Sequence, residues 1–147
     1  MKPAPEIRSI EIDDLASLFV FGKIIFNDPD RFVYPWDEYS VSETIWRSMN
    51  RSLIAVSKNK IVGTLIAFYH GVDDKPREAE VRWFGADDSD EGKQSIPLLI
   101  EAFVEIARYD RIPSIKLLLP AASADIREQL LLRGFLETGE HVIMKKI

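Results

Sequence analysis

The chain has no cysteine. That excludes disulfides, thiolate metal sites and a cysteine nucleophile, and it fits a reducing compartment. Basic residues are in the minority: 19 Lys and Arg stand against 24 Asp and Glu, a net charge of -5. A nucleic-acid binder normally carries a basic face, so no nucleic-acid partner is expected. No apolar run approaches the length of a membrane-spanning helix, so no membrane partner is expected either. Residues Met1 to Glu6 carry two prolines and no apolar stretch, which speaks against a signal peptide and makes the cytoplasm the expected location. The two histidines, His70 and His141, show no metal-ligand spacing, and neither a nucleophile elbow nor a Walker loop is present. Asp87, Ser89, Glu91 and Gly92 partly mimic a calcium loop, but Leu98 stands where the closing glutamate belongs. No metal is expected.

What remains is an ordinary globular composition. With 147 residues, 46% hydrophobic and 29% charged, the chain suits one domain over 1–147 with its own core. Ile7, Ile10 and Ile12 begin a short strand. Asp13 or Asp14 then caps a helix through Leu15, Leu18, Phe19, Phe21, Ile24 and Ile25, which ends near Phe26 before the turn residues Asn27 to Asp30. Ser40 and Glu43 have capping-box spacing for a second helix that buries Ile45, Trp46 and Met49. A hairpin follows: Leu53 to Val56, a turn at Asn59 and Lys60, then Ile61 to Tyr69. Gly71 to Lys75 is a loop and Glu78 to Ala86 a strand. Ser95 to Tyr109 reads as a long helix with Pro97 in its first turn, where no amide donor is needed. Ile115 to Leu119, apolar but for Lys116, is expected to be a strand buried on both faces. Ser123 caps a further helix that ends at Arg133, with Gly134 as its left-handed stop. Leu136 to Ile147 is one bent strand or two short ones. The fold class is α/β: a mixed, mostly antiparallel sheet of six or seven strands with helices on both faces.

This order, with two helices after the first strand, resembles the GCN5-related N-acetyltransferase (GNAT) superfamily. The stretch from Ile126 to Glu140, with Gly134-Phe135 at its centre, is similar to that family's helix, Gly-Phe, strand signature. Val62-Gly63 and Ile12-Asp13-Asp14-Leu15 are also typical. The resemblance spans essentially the whole chain. It implies acetyl-CoA as co-substrate, in a cleft between the fourth and fifth strands. Main-chain groups of the fourth strand would hold the pantetheine, here at Phe84, Gly85 and Ala86, and Gly85 suits a bulge or a close ligand approach. Amides at the next helix N-terminus would hold the diphosphate. The family loop Arg/Gln-x-x-Gly-x-Gly/Ala falls on Glu91-Gly92-Lys93-Gln94-Ser95-Ile96, which assigns Lys93, Gln94, Ser95 and Ile96 to the cofactor, with Ser123 near the start of the last helix.

The sequence departs from this pattern. An acid replaces the first loop position, and Gln94 and Ile96 replace the glycines. Asp87, Asp88, Asp90 and Glu91 bring four carboxylates beside a ligand of like charge, and each pair at close range costs about 1 kcal/mol even in water. As acids at a helix start they also suit the helix dipole, which explains the run without a ligand. Leu130 stands where many relatives carry a tyrosine that protonates the leaving thiolate.

Deprotonating an amine needs a base, and Glu80 and Glu78 share one strand face before the cleft, with Glu80 preferred. Both would otherwise pair with Arg77 or Arg82. His70 is the alternative base. Trp36, Glu38 and Tyr39, in the segment Tyr34 to Tyr39, would hold a cationic acceptor through aromatic faces and charge, or form a packed aromatic cover. The resemblance thus implies an acetyltransferase acting on an amine of a small molecule or protein. A non-catalytic binding module of the same fold is the alternative. A homodimer through the C-terminal strand is plausible.

Overall fold

In a computed structural model, residues 3–28, 32, 34–49, 51–72, 75–119, 124–139 and 142–147 are described. The elements run β1 (Glu6–Ser9), α1 (Leu15–Ile25), α2 (Glu38–Ser48), β2 (Leu53–Ser57), β3 (Lys60–Val72), β4 (Lys75–Ala86), α3 (Asp90–Tyr109), β5 (Ser114–Leu118), α4 (Ala124–Leu131), β6 (Leu136–Gly139) and β7 (Val142–Lys146). They build one 7-stranded sheet in the order β1-β2-β3-β4-β5-β7-β6. β4 and β5 pair in parallel; the other described pairs are antiparallel.

Strand alternation feeds two cores. Leu53, Ala55, Leu65, Val81 and Phe84 pack with Leu99, Ile100 and Phe103 of α3. Ile54, Ile66 and Trp83 pack with Leu18 and Phe21 of α1 and Val41 and Ile45 of α2. The helices therefore cover both faces, as the pattern predicts. Among the described residues no buried side-chain nitrogen or oxygen lacks a hydrogen bond. Ser48 and Ser52 bond each other (2.9 Å), and Thr64 bonds the Leu53 carbonyl (2.8 Å). No helix among them is long and apolar enough to cross a membrane.

Several local expectations are corrected. β1 stops at Ser9, and Ile12 lies exposed in a 3-10 turn (Ile12–Asp14). Asp14 makes no cap bond to α1, because Arg8 (2.7 and 2.8 Å) and the Glu11 amide (2.8 Å) take its carboxylate. α2 starts at Glu38 rather than after Ser40: Asp37 is the N-cap, accepting from the Ser40 amide at 2.8 Å. Its buried face is Val41, Thr44, Ile45 and Ser48, and Trp46, roughly 100° further round the helix, is 77% exposed. The hairpin turn is Lys58-Asn59, both at positive φ (52° and 62°), because Lys60 already pairs with Ser57. β3 and β4 run on into the stretch read as a loop, whose residues 73–74 lie outside the described ones.

α3 begins at Asp90, not Ser95, so Pro97 is interior to the helix. Lacking an amide hydrogen, Pro97 leaves the Lys93 carbonyl without its helical donor. Gly134 does take the left-handed stop, at φ 86°, with Phe135 buried behind it. Leu130 is buried in the α3-side core, which accounts for an apolar residue at that place. Leu136 to Ile147 forms two strands, β6 and β7.

Candidate functional site

The site begins with one extra residue. Ile66 pairs with Trp83 and Ala67 with Val81, so Arg82 has no partner across β3 and bulges out of β4. Gly85, the residue singled out for a bulge, pairs regularly with Thr64. A Cβ there would lie 3.0 Å from Phe26 and 3.2 Å from Ile25, so glycine admits α1 against the strand. After the bulge the face alternation slips, and β4 parts from β5. Their pairing ends at Val81↔Leu117, while β4 continues to Ala86.

The divergence opens a cleft of about 800 Å³. Ile25, Phe32, Phe84, Ile96, Pro97 and Ile126 are its apolar walls, with Gly85 and Ala86 along β4. Its charged lining is Asp87, Asp88, Asp125 and Glu128 against Lys93. Of the residues assigned to the cofactor, Phe84, Gly85, Ala86, Lys93 and Ile96 line this cleft together. Gln94 is exposed and not on its wall. Ser95 turns the other way, fully buried against Gly63, where a Cβ would lie 2.3 Å from its hydroxyl. Ser123 lies outside the described residues, as does His141.

The helix end of the cleft is already capped. Ser89 is the N-cap of α3, its hydroxyl accepting from the Gly92 amide at 3.0 Å and its carbonyl from the Lys93 amide at 3.0 Å. Asp87 accepts from the Ser89 amide at 3.1 Å and from its hydroxyl at 2.5 Å. Gln94, Ser95 and Ile96 lie within the helix, where amides close i→i−4 bonds. The β4 end of the cleft is an apolar channel along Phe84, Gly85 and Ala86. The α3 end is poorly suited to a diphosphate, since the Ser89, Gly92 and Lys93 amides are taken within the turn and the Asp87 carboxylate lies against Gly92.

Upstream of the bulge, on the α1/α2 face, stands Glu80, 5% exposed. Tyr34 Oη donates to its Oε1 (2.7 Å) and Arg82 Nε to the same oxygen (3.2 Å). His70 Nε2 and Lys116 Nζ each lie 3.7 Å from Oε2. Burial pushes the Glu80 carboxyl up, but the hydrogen bonds from Tyr34 and Arg82 and the nearby positive charge outweigh it, leaving it below the usual carboxylate range. Burial, and then Glu80 itself, push the Tyr34 phenol up to about 12. The Arg82 guanidinium lies 4.7 Å from the Tyr34 ring centre and 4.3 Å from that of Phe68. Glu80 does pair with Arg82, but as a buried acid rather than the exposed one that the sequence suggests. Tyr34, read from the sequence only as part of the acceptor segment, and Lys116, not singled out at all, reach Glu80 from distant parts of the chain. Glu78 shares the Glu80 face, half-buried, opposite His70.

The Tyr34 to Tyr39 segment divides. Trp36 is packed: its ring contacts Phe19, Phe26 and Trp83, its Nε1 donates to the Phe19 carbonyl (3.1 Å), and it lies flat on Gly22. Glu38 and Tyr39 lie instead on a surface hollow of about 670 Å³ beside Trp46 and Met49. The structure thus separates Trp36 from the two residues it was grouped with.

No family model matches the sequence, and no curated protein matches it significantly. Solved structures do. The NatC complex bound to Gag peptide and CoA matches with a TM-score of 0.81 at 12% identity, over 99% of this chain and 99% of that one. Arabidopsis thaliana Naa50, in complex with the bisubstrate analogue CoA-Ac-MVNAL, gives 0.79 at 11%, over 99% and 100%. An acetyltransferase of the GNAT family from Streptococcus pneumoniae gives 0.76 at 15%, over 97% and 99%. The seven-stranded mixed sheet with helices on both faces and the matches along the full chain lead to one conclusion: this chain has the GNAT acetyltransferase fold.

Proposed function

We propose that the chain transfers an acyl group from a pantetheine thioester, acetyl-CoA being the donor that the fold suggests, to an amine. One observation carries this reading: the bulge at Arg82 frees the end of β4 from β5 and leaves Phe84, Gly85 and Ala86 along a cleft with apolar walls. Among the described residues that stretch has no strand partner on its β5 side, which leaves its main chain to a ligand's amides and carbonyl. Bound there, the thioester supplies an activated acyl carbon. The amine nitrogen bonds the acyl carbon, the carbon–sulfur bond breaks, and the thiolate leaves with the arm and takes a proton from solvent; the chain's own part is to align the arm and receive the proton of the attacking amine.

We assign that proton to Glu80. The carboxylate is ionised at neutral pH and stands just before the bulge, and its bond to Tyr34 brings the segment before α2 against it. Its low proton affinity calls for an outlet. His70, with a side chain 46% exposed and 3.7 Å from Glu80, passes the proton to solvent. Glu78 is the second candidate. For the acceptor pocket, Tyr34 now joins Glu38 and Tyr39 as residues to test, while Trp36 acts through packing.

A second reading, a binding module without catalysis, draws on the capped and acidic end of α3. The deciding experiment is a transfer assay with acetyl-CoA and with S-acetyl-pantetheine against small amines, amino acids and peptide N-termini. The first reading expects turnover that falls about 10²- to 10³-fold in Glu80→Gln. Absence of transfer to every amine, from either donor at millimolar concentration, removes it in favour of the second.

A further inference from the structure

The assignment of the cleft to a thioester leaves open which part of the donor the protein grips, and three observations at the start of α3 bear on that. The first is hydrogen bonding. A helix start binds a phosphate by offering unpaired amides. Here the Gly92 and Lys93 amides are taken by Ser89, and Ser89 is itself held by Asp87. The second is space. A Cβ on Gly92 would lie 2.2 Å from Asp87 Oδ1 and 2.4 Å from the Asp87 carbonyl oxygen. The glycine of this turn therefore admits the chain's own carboxylate, not a ligand. The third is charge: Asp87, Asp88, Asp125 and Glu128 line the cleft against Lys93.

We infer that Asp87 occupies the anion position at the start of α3, so that the cleft holds a thioester by its pantetheine arm and leaves the nucleotide diphosphate unheld. This rests on the donor reading above and narrows it. Gln94 and Ile96 stand at the loop's glycine positions and continue the helix, and Asp87, just before it, holds the amide and hydroxyl of the N-cap Ser89. The acyl donor is selected by its arm and thioester. A donor that carries no phosphate satisfies the site as well as acetyl-CoA does.

The test compares acetyl-CoA with S-acetyl-pantetheine by calorimetric titration of the full chain, each at low and at moderate salt. The inference expects dissociation constants within about threefold of one another, a gap of well under 1 kcal/mol. It also expects acetyl-CoA binding to tighten as salt screens the cleft carboxylates, with S-acetyl-pantetheine indifferent. Acetyl-CoA binding about tenfold tighter than S-acetyl-pantetheine, and weakening with salt, overturns the inference and leaves the donor reading intact. Failure of both ligands to bind at millimolar concentration overturns the donor reading and this inference with it. Asp87→Asn gives a second measurement. Asparagine still accepts from Ser89, so the cap and the fold persist, checked by circular dichroism. The variant should favour acetyl-CoA over S-acetyl-pantetheine several-fold more than the parent does, and an unchanged ratio overturns the role given to Asp87.

Discussion

Tyr34 Oη donates to Glu80 Oε1 across 2.7 Å, tying the segment before α2 to the middle of β4. The bond makes Glu80 a structural acid as well as a candidate base. It leads to a prediction about acid stability. The folded-state pKa of Glu80 is depressed, so its stabilisation is complete above the unfolded carboxylate value, about 4.3, and is lost as pH falls through the folded value. Glu80→Gln should therefore cost about 1–3 kcal/mol at pH 7, since Arg82 and Tyr34 lose a charged partner. The gap between parent and variant should shrink below about pH 4. Urea midpoints at pH 7 and pH 3.5 measure it; a gap that widens in acid contradicts the assignment. Asp14 and Asp37, also depressed, are common to both proteins and cancel.

Gly92 is the second test. Its missing side chain would meet Asp87, partly through a backbone oxygen that cannot turn aside. Gly92→Ala should lower stability by about 1–3 kcal/mol, despite alanine's better helix propensity. Thermal unfolding should show a loss of several degrees. A neutral or raised melting temperature would mean that this turn is looser than described.

The tryptophans of α2 and of the segment before it should behave oppositely. Trp46 is 77% exposed, and Trp46→Gln should change stability by less than about 0.5 kcal/mol. Trp36 sits on Gly22 among Phe19, Phe26 and Trp83, and Trp36→Ala should cost about 3 kcal/mol. Acrylamide quenching gives an independent check: removing Trp46 should abolish most of the accessible fluorescence.

Pro97 offers a gain. It denies the Lys93 carbonyl a helical donor. Pro97→Ala should stabilise the fold by about 1–3 kcal/mol, a little offset by the greater freedom of the unfolded chain. Chemical denaturation reads the sign. A loss would mean that the ring's packing against the cleft outweighs the backbone bond.

Much of this architecture was legible in the amino-acid order, because it is set by neighbours a few residues apart. The apolar stripe of α3, the helix stop at Gly134 and the separate helices over each sheet face follow from periodicity and from residue-specific backbone preferences. The burial expected on both faces of β5 does not hold: Ile115 and Leu117 are buried, while Ser114, Lys116 and Leu118 on the other face are only half-buried, because Lys116 reaches Glu80 there. Phe84, Gly85, Ala86, Lys93 and Ile96 were picked out by the family resemblance, not by periodicity, and they line one cleft. Errors clustered where a side chain had a choice of partner. Asp14 could cap α1 or bind Arg8, Asp37 rather than Ser40 caps α2, and α3 starts at Asp90 because Ser89 and Asp87 together satisfy its first turn. Such choices turn on distances across space that spacing along the chain does not report. The same holds for the bulge at Arg82, for the gathering of Tyr34, His70, Arg82 and Lys116 around Glu80, and for the carboxylate laid over Gly92. The residue types at the site were present in the sequence. That Asp87 holds Ser89 and lies against Gly92, rather than standing free in solvent, was decided only when the chain folded, since which donors a carboxylate meets depends on the path of the turn and not on residue type.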